Sequence, residues 1–273
     1  MTRRNPWLAS YIALYLVFLY LPIALIPLFS FNDSIQAAFP LKGFTTAWYE
    51  SLLQNAELHQ ALATSLIVGI SAASLATLTG ITIAYMEIVG RNRLAGAISV
   101  LARLPILIPG VIVGIALLIL VNLAGLGPSR IAIVLGHTLV ALPTTVVIMR
   151  SRFAALPKSV GEAAMDLGAG DWTVFRRIML PLSLPAVASA FMLAFLTSFD
   201  EFIVAFFLAG TEPTLPIFIW SLLRFPRALP SVMALGSVIL AVSVILATAA
   251  ELLRRRGLCG ANPATAIAPL PQS

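Results

Sequence analysis

Six stretches of this chain run for roughly 20 residues or more almost without charge, the length an α-helix needs to cross the hydrocarbon core of a bilayer. They are Trp7 to Phe31, Ala61 to Met86, Leu104 to Leu123, Ile131 to Met149, Leu184 to Leu208 and Val232 to Ala250. Only the fifth carries ionised side chains, Asp200 and Glu201. Lipid offers a bare N–H or C=O no partner, so each run must satisfy its own backbone as a helix, and none shows the two-residue alternation of a barrel strand. Composition agrees: 60% of residues are hydrophobic and 10% charged, against about 45–50% and about 25% in soluble domains. The expected fold class is all-α integral membrane, with six transmembrane helices.

The first run follows Arg3 and Arg4 but is far longer than the core of a secretory signal, and no small-x-small site closes it. It reads as a retained helix, bent near its outer end by Pro22 and Pro27. Lysine and arginine orient the spans. With the amino terminus in the cytoplasm, the inner segments hold Arg3, Arg4, Arg91, Arg93, Arg103, Arg150, Arg152, Lys158, Arg176, Arg177 and Arg254 to Arg256, which is 13 of the 17 basic residues. Lys42, Arg130, Arg224 and Arg227 remain outside, balanced by Asp33, Glu50, Glu57 and Glu212. A multi-pass protein of the cytoplasmic membrane with both termini inside is expected. The net charge of +6 is then a topology signal, and no nucleic-acid partner is read from it. Arg130, Arg224 and Arg227 are either docking residues for an acidic partner surface or ordinary loop-end cations. The outer connections 32–60 and 209–231 read as interfacial loops anchored by aromatics.

The inner connection from Arg150 to Ser183 is longer than two neighbouring helices need. Ser159 and Glu162 have capping-box spacing after Pro157, which predicts a short helix closed by Gly168 or Gly170. Asp171 is placed to cap a second short helix ending before Pro181. The expected element is a helix, glycine turn, helix hairpin at the inner membrane face.

Glu162-Ala163-Ala164, then Gly168, then Ile178-Met179-Leu180-Pro181 resemble the signature loop of permease subunits in binding-protein-dependent ABC importers. Gly43-Phe44-Thr45, Trp48-Tyr49 and Ser198-Phe199-Asp200-Glu201-Phe202 extend the likeness. Together they resemble permeases of spermidine/putrescine importers, the second permease of the pair in particular. The resemblance implies a type I ABC-importer permease fold. In it a cytoplasmic coupling helix inserts into an ATPase subunit, with Glu162, Ala163, Ala164 and Gly168 as docking face and Leu167 as an apolar contact. It also implies a second permease subunit, two ATPase subunits and an extracytoplasmic solute-binding protein, in a bacterial inner membrane. The cargo implied is a polyamine such as spermidine or putrescine. Ferric iron, thiamine, sulfate, molybdate and phosphonate remain alternatives within the class.

Residues 1–257 form the expected permease domain, with a core at about 61–252, and 258–273 a short cytoplasmic tail expected to be disordered. The two lysines, Lys42 and Lys158, follow Leu41 and Pro157, so no phosphate-binding Gly-Lys loop exists. No cofactor is expected on this chain, and ATP and Mg belong to the partner ATPase. No metal-ligand spacing and no catalytic constellation is present, so an enzyme is not expected. His137 reads as a helix-packing residue. A secondary transporter, the rival class, would leave the inner hairpin without a role.

Asp200 and Glu201 are costly inside a membrane, by about 2.5–3.5 kcal/mol each on insertion scales. In a continuous helix they point about 100° apart, so one can face the pathway while the other pairs with a neighbouring helix. They either draw a cationic substrate inward, helped by the aromatic faces of Phe199, Phe202 and Phe206, or form an outer gate or a helix-to-helix hydrogen bond, with the phenylalanines meeting lipid. Pro105, Pro109, Gly110 and Gly114 interrupt the third span and Pro143 the fourth, as hinges or as ordinary membrane-helix residues.

Overall fold

The computed structural model describes residues 6–89 and 93–259. Arg3, Arg4, Arg91 and the tail beyond Cys259 lie outside the described residues. Secondary structure among the described residues is helical, with one isolated bridge between Asn32 and Phe44. In chain order come α1 (Pro6–Ser30), α2 (Ala47–Leu53), α3 (Ala56–Val89) and α4 (Arg93–Arg103). A 3-10 turn (Leu104–Leu107) leads to α5 (Gly110–Leu123), followed by α6 (Arg130–Ala155) and α7 (Lys158–Asp166). Then come α8 (Asp171–Val174), a π turn (Phe175–Met179), α9 (Leu180–Leu182), α10 (Leu184–Asp200), α11 (Ile203–Leu208) and α12 (Leu215–Leu223). A further 3-10 turn (Pro226–Ala228) precedes α13 (Leu229–Cys259).

The chain divides into two compact units, one of residues 1–55 with 222–273 and one of residues 56–221. In the first, α1 packs on α13, where a Cβ at Gly236 would stand 3.3 Å from the Ile26 side chain. α1 runs unbroken through Pro22 and Pro27 and leaves nearly all of its side chains exposed. A helix apolar on every side needs lipid or another chain around it. Its C-terminal end is closed by buried Asn32, whose Oδ1 accepts the N–H of Lys42 at 3.0 Å and whose carbonyl accepts Trp48 Nε1 at 3.0 Å. The Ser30 and Tyr49 hydroxyls meet at 2.6 Å and seat α2.

In the second unit α3, α6 and α10 form the centre, joined through small residues. Ala72, Ala73, Ala76, Ala84, Ala141, Ala190 and Ala194 are all buried completely, and such residues let membrane helices approach closely. Thr145 on α6 donates to the Ala76 carbonyl of α3 at 2.8 Å. A second apolar cluster gathers Val68, Val113, Ile133, Val204 and Leu208 from α3, α5, α6 and α11.

Among the described residues four helices are long and apolar enough to span a bilayer alone, and up to six spans result when two bent pairs are each counted as one. One pair, 93–107 with 110–123, takes in the third run, and the other, 171–182 with 184–200, joins the second arm of the hairpin to the start of the fifth. Around Pro105 and Pro109 the third run bends by 114° between α4 with its 3-10 turn and α5. Proline removes the N–H that would continue the ladder, and Pro109 forces Ile108 into an extended conformation at ψ 128°. A second bend, of 71°, separates the rod Asp171–Leu182 from α10. The fifth run also ends as a helix at Asp200, since Glu201 is extended at φ −72°, ψ 113°. Nor is 209–231 simply a loop: α12 lies inside it, with Leu215 and Phe218 buried.

Candidate functional site

Two places in the second unit concentrate the residues singled out by sequence. The first is the hairpin after α6. Here α7 begins at Lys158 with Pro157 at the cap position and no side-chain capping bond. The proline ring fixes φ at −61°, and the helix starts one residue before Ser159. Ser159 is therefore inside the first turn, and the capping box with Glu162 does not form. Similarly Gly170, not Asp171, occupies the cap of α8, and Asp171 stands in its first turn.

Gly168 does close α7. Its φ is +88°, its N–H reaches the Met165 carbonyl at 2.8 Å, and the Ala169 N–H reaches Ala164 at 3.0 Å. These two bonds make a Schellman motif, which satisfies carbonyls that the helix end would leave bare. Glu162, Ala163 and Leu167 are exposed and Ala164 is half-buried. Leu167, at 90% exposure, stands at the apex of the hairpin.

The hairpin rests on an aromatic seat. Tyr85 of α3 lies 4.5 Å from Phe175 and 6.2 Å from Phe153 of α6, ring centre to ring centre, and Trp172 lies 5.4 Å from Phe175. Beneath α7 a cavity of about 260 Å³ opens between Tyr85, Phe153, Val160, Met165 and Ile178. Arg152 donates to the Leu182 carbonyl, tying the end of α6 to the end of the hairpin.

The second place is the break between α10 and α11. Glu201 Oε1 accepts the Val204 N–H at 3.0 Å, so a carboxylate caps the first turn of α11, where free amides and the helix dipole favour negative charge. Asp200 is exposed and makes no ion pair among the described residues. One carboxylate is thus engaged and the other open, but because the helix ends between them, not because they diverge around it. Phe199 stacks on Phe195 at 5.6 Å, whereas Phe202 joins Phe206 and Trp220 at 5.7 and 5.9 Å. The two phenylalanines therefore belong to different clusters. Two residues before Asp200, buried Ser198 meets His137 Nδ1 at 2.7 Å.

At the first residue of α6, Arg130 pairs with Glu212 at 2.5 Å, so this cation already has an acidic partner within the chain. Sequence reading missed Glu87, which Arg150 contacts at 2.7 Å and Arg103 at 3.9 Å. It also missed Trp220. Glu87 stands at the edge of the second run, where its charge looks like ordinary topology, and Trp220 lies in a segment read as a loop.

This arrangement of bent apolar helices with a glycine-closed hairpin recurs in solved ABC transporters. The fold is similar to a bacterial ABC transporter involved in the import of the acidic polysaccharide alginate, with TM-score 0.69 at 16% identity over 93% of this chain and 98% of that one. It is also similar to the MetNI methionine ABC transporter, with TM-score 0.58 at 18% identity over 78% and 99%. These likenesses define the type I ABC-importer permease fold.

Residues 76–257 match the family of binding-protein-dependent transport system inner membrane components, and the chain belongs to that family. It is 34% identical over 239 residues to the spermidine/putrescine transport system permease protein PotC of Escherichia coli (strain K12), covering 87% of this chain and 90% of that protein. To the putrescine transport system permease protein PotI of the same strain it is 35% identical over 252 residues, 89% of each.

Proposed function

We propose that this chain is the transmembrane permease subunit of an ATP-driven importer that moves a polyamine, spermidine or putrescine, into the cytoplasm by alternating access. The observation that carries the cargo is the likeness to two polyamine permeases over about nine-tenths of each chain. The open Asp200 carboxylate at a helix break is consistent with a cationic substrate.

In this reading α7 is the coupling helix. Glu162, Ala163, Ala164, Leu167 and Gly168 dock into a cytoplasmic ATPase, where ATP and Mg are bound and hydrolysed on a separate polypeptide. Two such ATPases, a second permease and an extracytoplasmic binding protein complete the transporter. The wide exposure of apolar side chains on α1 and α5 supports lipid and a partner permease around this one. The distribution of lysine and arginine supports cytoplasmic termini. Asp200 meets the cation in the pathway with Phe199 and Phe202 nearby, while Glu201 holds the gate helix α11. ATP binding favours the outward-open state, and hydrolysis returns the helices inward with the cargo.

The test is uptake of labelled putrescine and spermidine by proteoliposomes holding this chain with its co-purified subunits and binding protein. Saturable, ATP-dependent uptake is expected. ATP-dependent uptake of another solute keeps the importer and removes the polyamine. Uptake that follows an ion gradient without ATP removes the importer.

A further inference from the structure

A single carboxylate holds three helices together on the side of the second unit that carries the hairpin. Glu87, near the end of α3, is 15% exposed. One of its oxygens accepts the Ser99 hydroxyl of α4, and the other accepts Arg150 Nε of α6 at 2.7 Å with Arg103 at 3.9 Å. Arg103 in turn donates through Nε to the Ser99 carbonyl at 2.9 Å. Ala95 and buried Ser99 are the inward residues of α4, and Leu94, Val100 and Leu101 face outward. The seat of α4 is therefore small and largely polar, and Glu87 is at its centre.

The position of that seat matters. Tyr85, two residues before Glu87, touches Phe175 of the hairpin, and Phe153, three residues after Arg150, lies in the same cluster. On the other side α4 leads through the 114° bend to α5. There Gly114 lies against Phe207 of α11, with its Cβ position 2.5 Å from that ring. α11 is the helix that Glu201 caps. Side-chain contacts joined by short stretches of α3 and α6 thus run from the hairpin through Tyr85 and Phe153 to Glu87, and on through α4 to the bent pair and the Asp200–Glu201 break, the kind of connection a mechanical coupling requires. Arg150 is 45% exposed, so its bond to Glu87 can exchange with water at small cost as helices shift.

We propose that Glu87 is the positioning residue that couples movement of the inner hairpin to the α4–α5 pair. This rests on the transport reading above. Fully assembled transporter in proteoliposomes is compared for the parent chain, Glu87→Gln, Arg150→Gln and the double variant. Glu87→Gln keeps the acceptor for Ser99 and removes the charge.

The expected result is assembly and unstimulated ATPase within twofold of the parent, with binding-protein-stimulated ATPase and putrescine uptake reduced at least tenfold in each single variant. The double variant should be no worse than either single one, as for two groups acting through one bond. Glu87→Gln that keeps stimulated activity within twofold overturns the proposal, as do single effects that multiply in the double variant. Failure of Glu87→Gln to assemble makes the residue a folding element and overturns it too. A parent that takes up no polyamine but hydrolyses ATP faster with its binding protein refutes only the cargo, and stimulated ATPase still decides on Glu87. A parent with no such stimulation refutes both.

Discussion

The Glu201 carboxylate accepts the Val204 N–H at 3.0 Å, while Asp200 beside it is exposed and makes no ion pair among the described residues. Two adjacent acids therefore answer to different substitutions. Glu201→Gln keeps a carbonyl oxygen to cap α11 and should leave thermal stability nearly unchanged. Glu201→Ala removes the cap and should destabilise by about 1 kcal/mol. Asp200→Asn removes only charge, and should raise the KM for putrescine uptake at least tenfold with little change in melting. Uptake kinetics and thermal denaturation of each variant separate the two roles, and the reverse pattern would exchange them.

The apex of the hairpin gives a second separation. Leu167 touches little in its own chain at 90% exposure, so Leu167→Asp should not alter folding, yet should weaken co-purification with the ATPase at least tenfold. Gly168 holds φ +88°, a region where other L-residues carry about 1–2 kcal/mol of strain. Gly168→Ala should therefore lower the melting temperature as well as ATPase association. Equal binding by the Leu167→Asp variant would remove this residue from the docking face.

The apolar runs were legible because a bilayer demands about 20 residues per crossing whatever the neighbours do. Gly168 was legible for a similar reason, since a positive φ at a helix end favours glycine locally. The break after Asp200 was hidden, because apolar residues continue on both sides of it and hydropathy does not register a change of backbone direction. The failed capping box shows one local signal overriding another, with Pro157 starting α7 a residue before Ser159. Glu87 could not be found from spacing at all. Its partners Ser99 and Arg150 are 12 and 63 residues away, and only the packing of α3, α4 and α6 makes them neighbours.

His137 joins α6 to α10 through Ser198 at 2.7 Å, and both residues are buried. Removing one partner strands the other in an apolar interior, which costs about 1–3 kcal/mol. Replacing both with apolar groups avoids that penalty. Thermal denaturation should therefore show His137→Leu destabilised on its own and partly restored by adding Ser198→Ala. Additive losses in the double variant would mean that the two side chains act independently.

Gly114 offers the sharpest packing test. A Cβ there would stand 2.5 Å from Phe207 Cδ2, 3.2 Å from its Cγ and 3.4 Å from its Cβ. The ring cannot swing clear from its far end alone, so α5 and α11 must separate. Overpacking of this kind typically costs about 1–3 kcal/mol, and Gly114→Ala should lower the melting temperature accordingly. Phe207→Ala opens a cavity when made alone and should also destabilise. Combined, each change removes the other's fault, and the pair should melt above the sum of the single losses. Because α11 carries the capped break, the same series should show uptake falling in Gly114→Ala and recovering in part in the double variant. A Gly114→Ala protein that melts and transports like the parent would mean that α5 and α11 are not held at this distance.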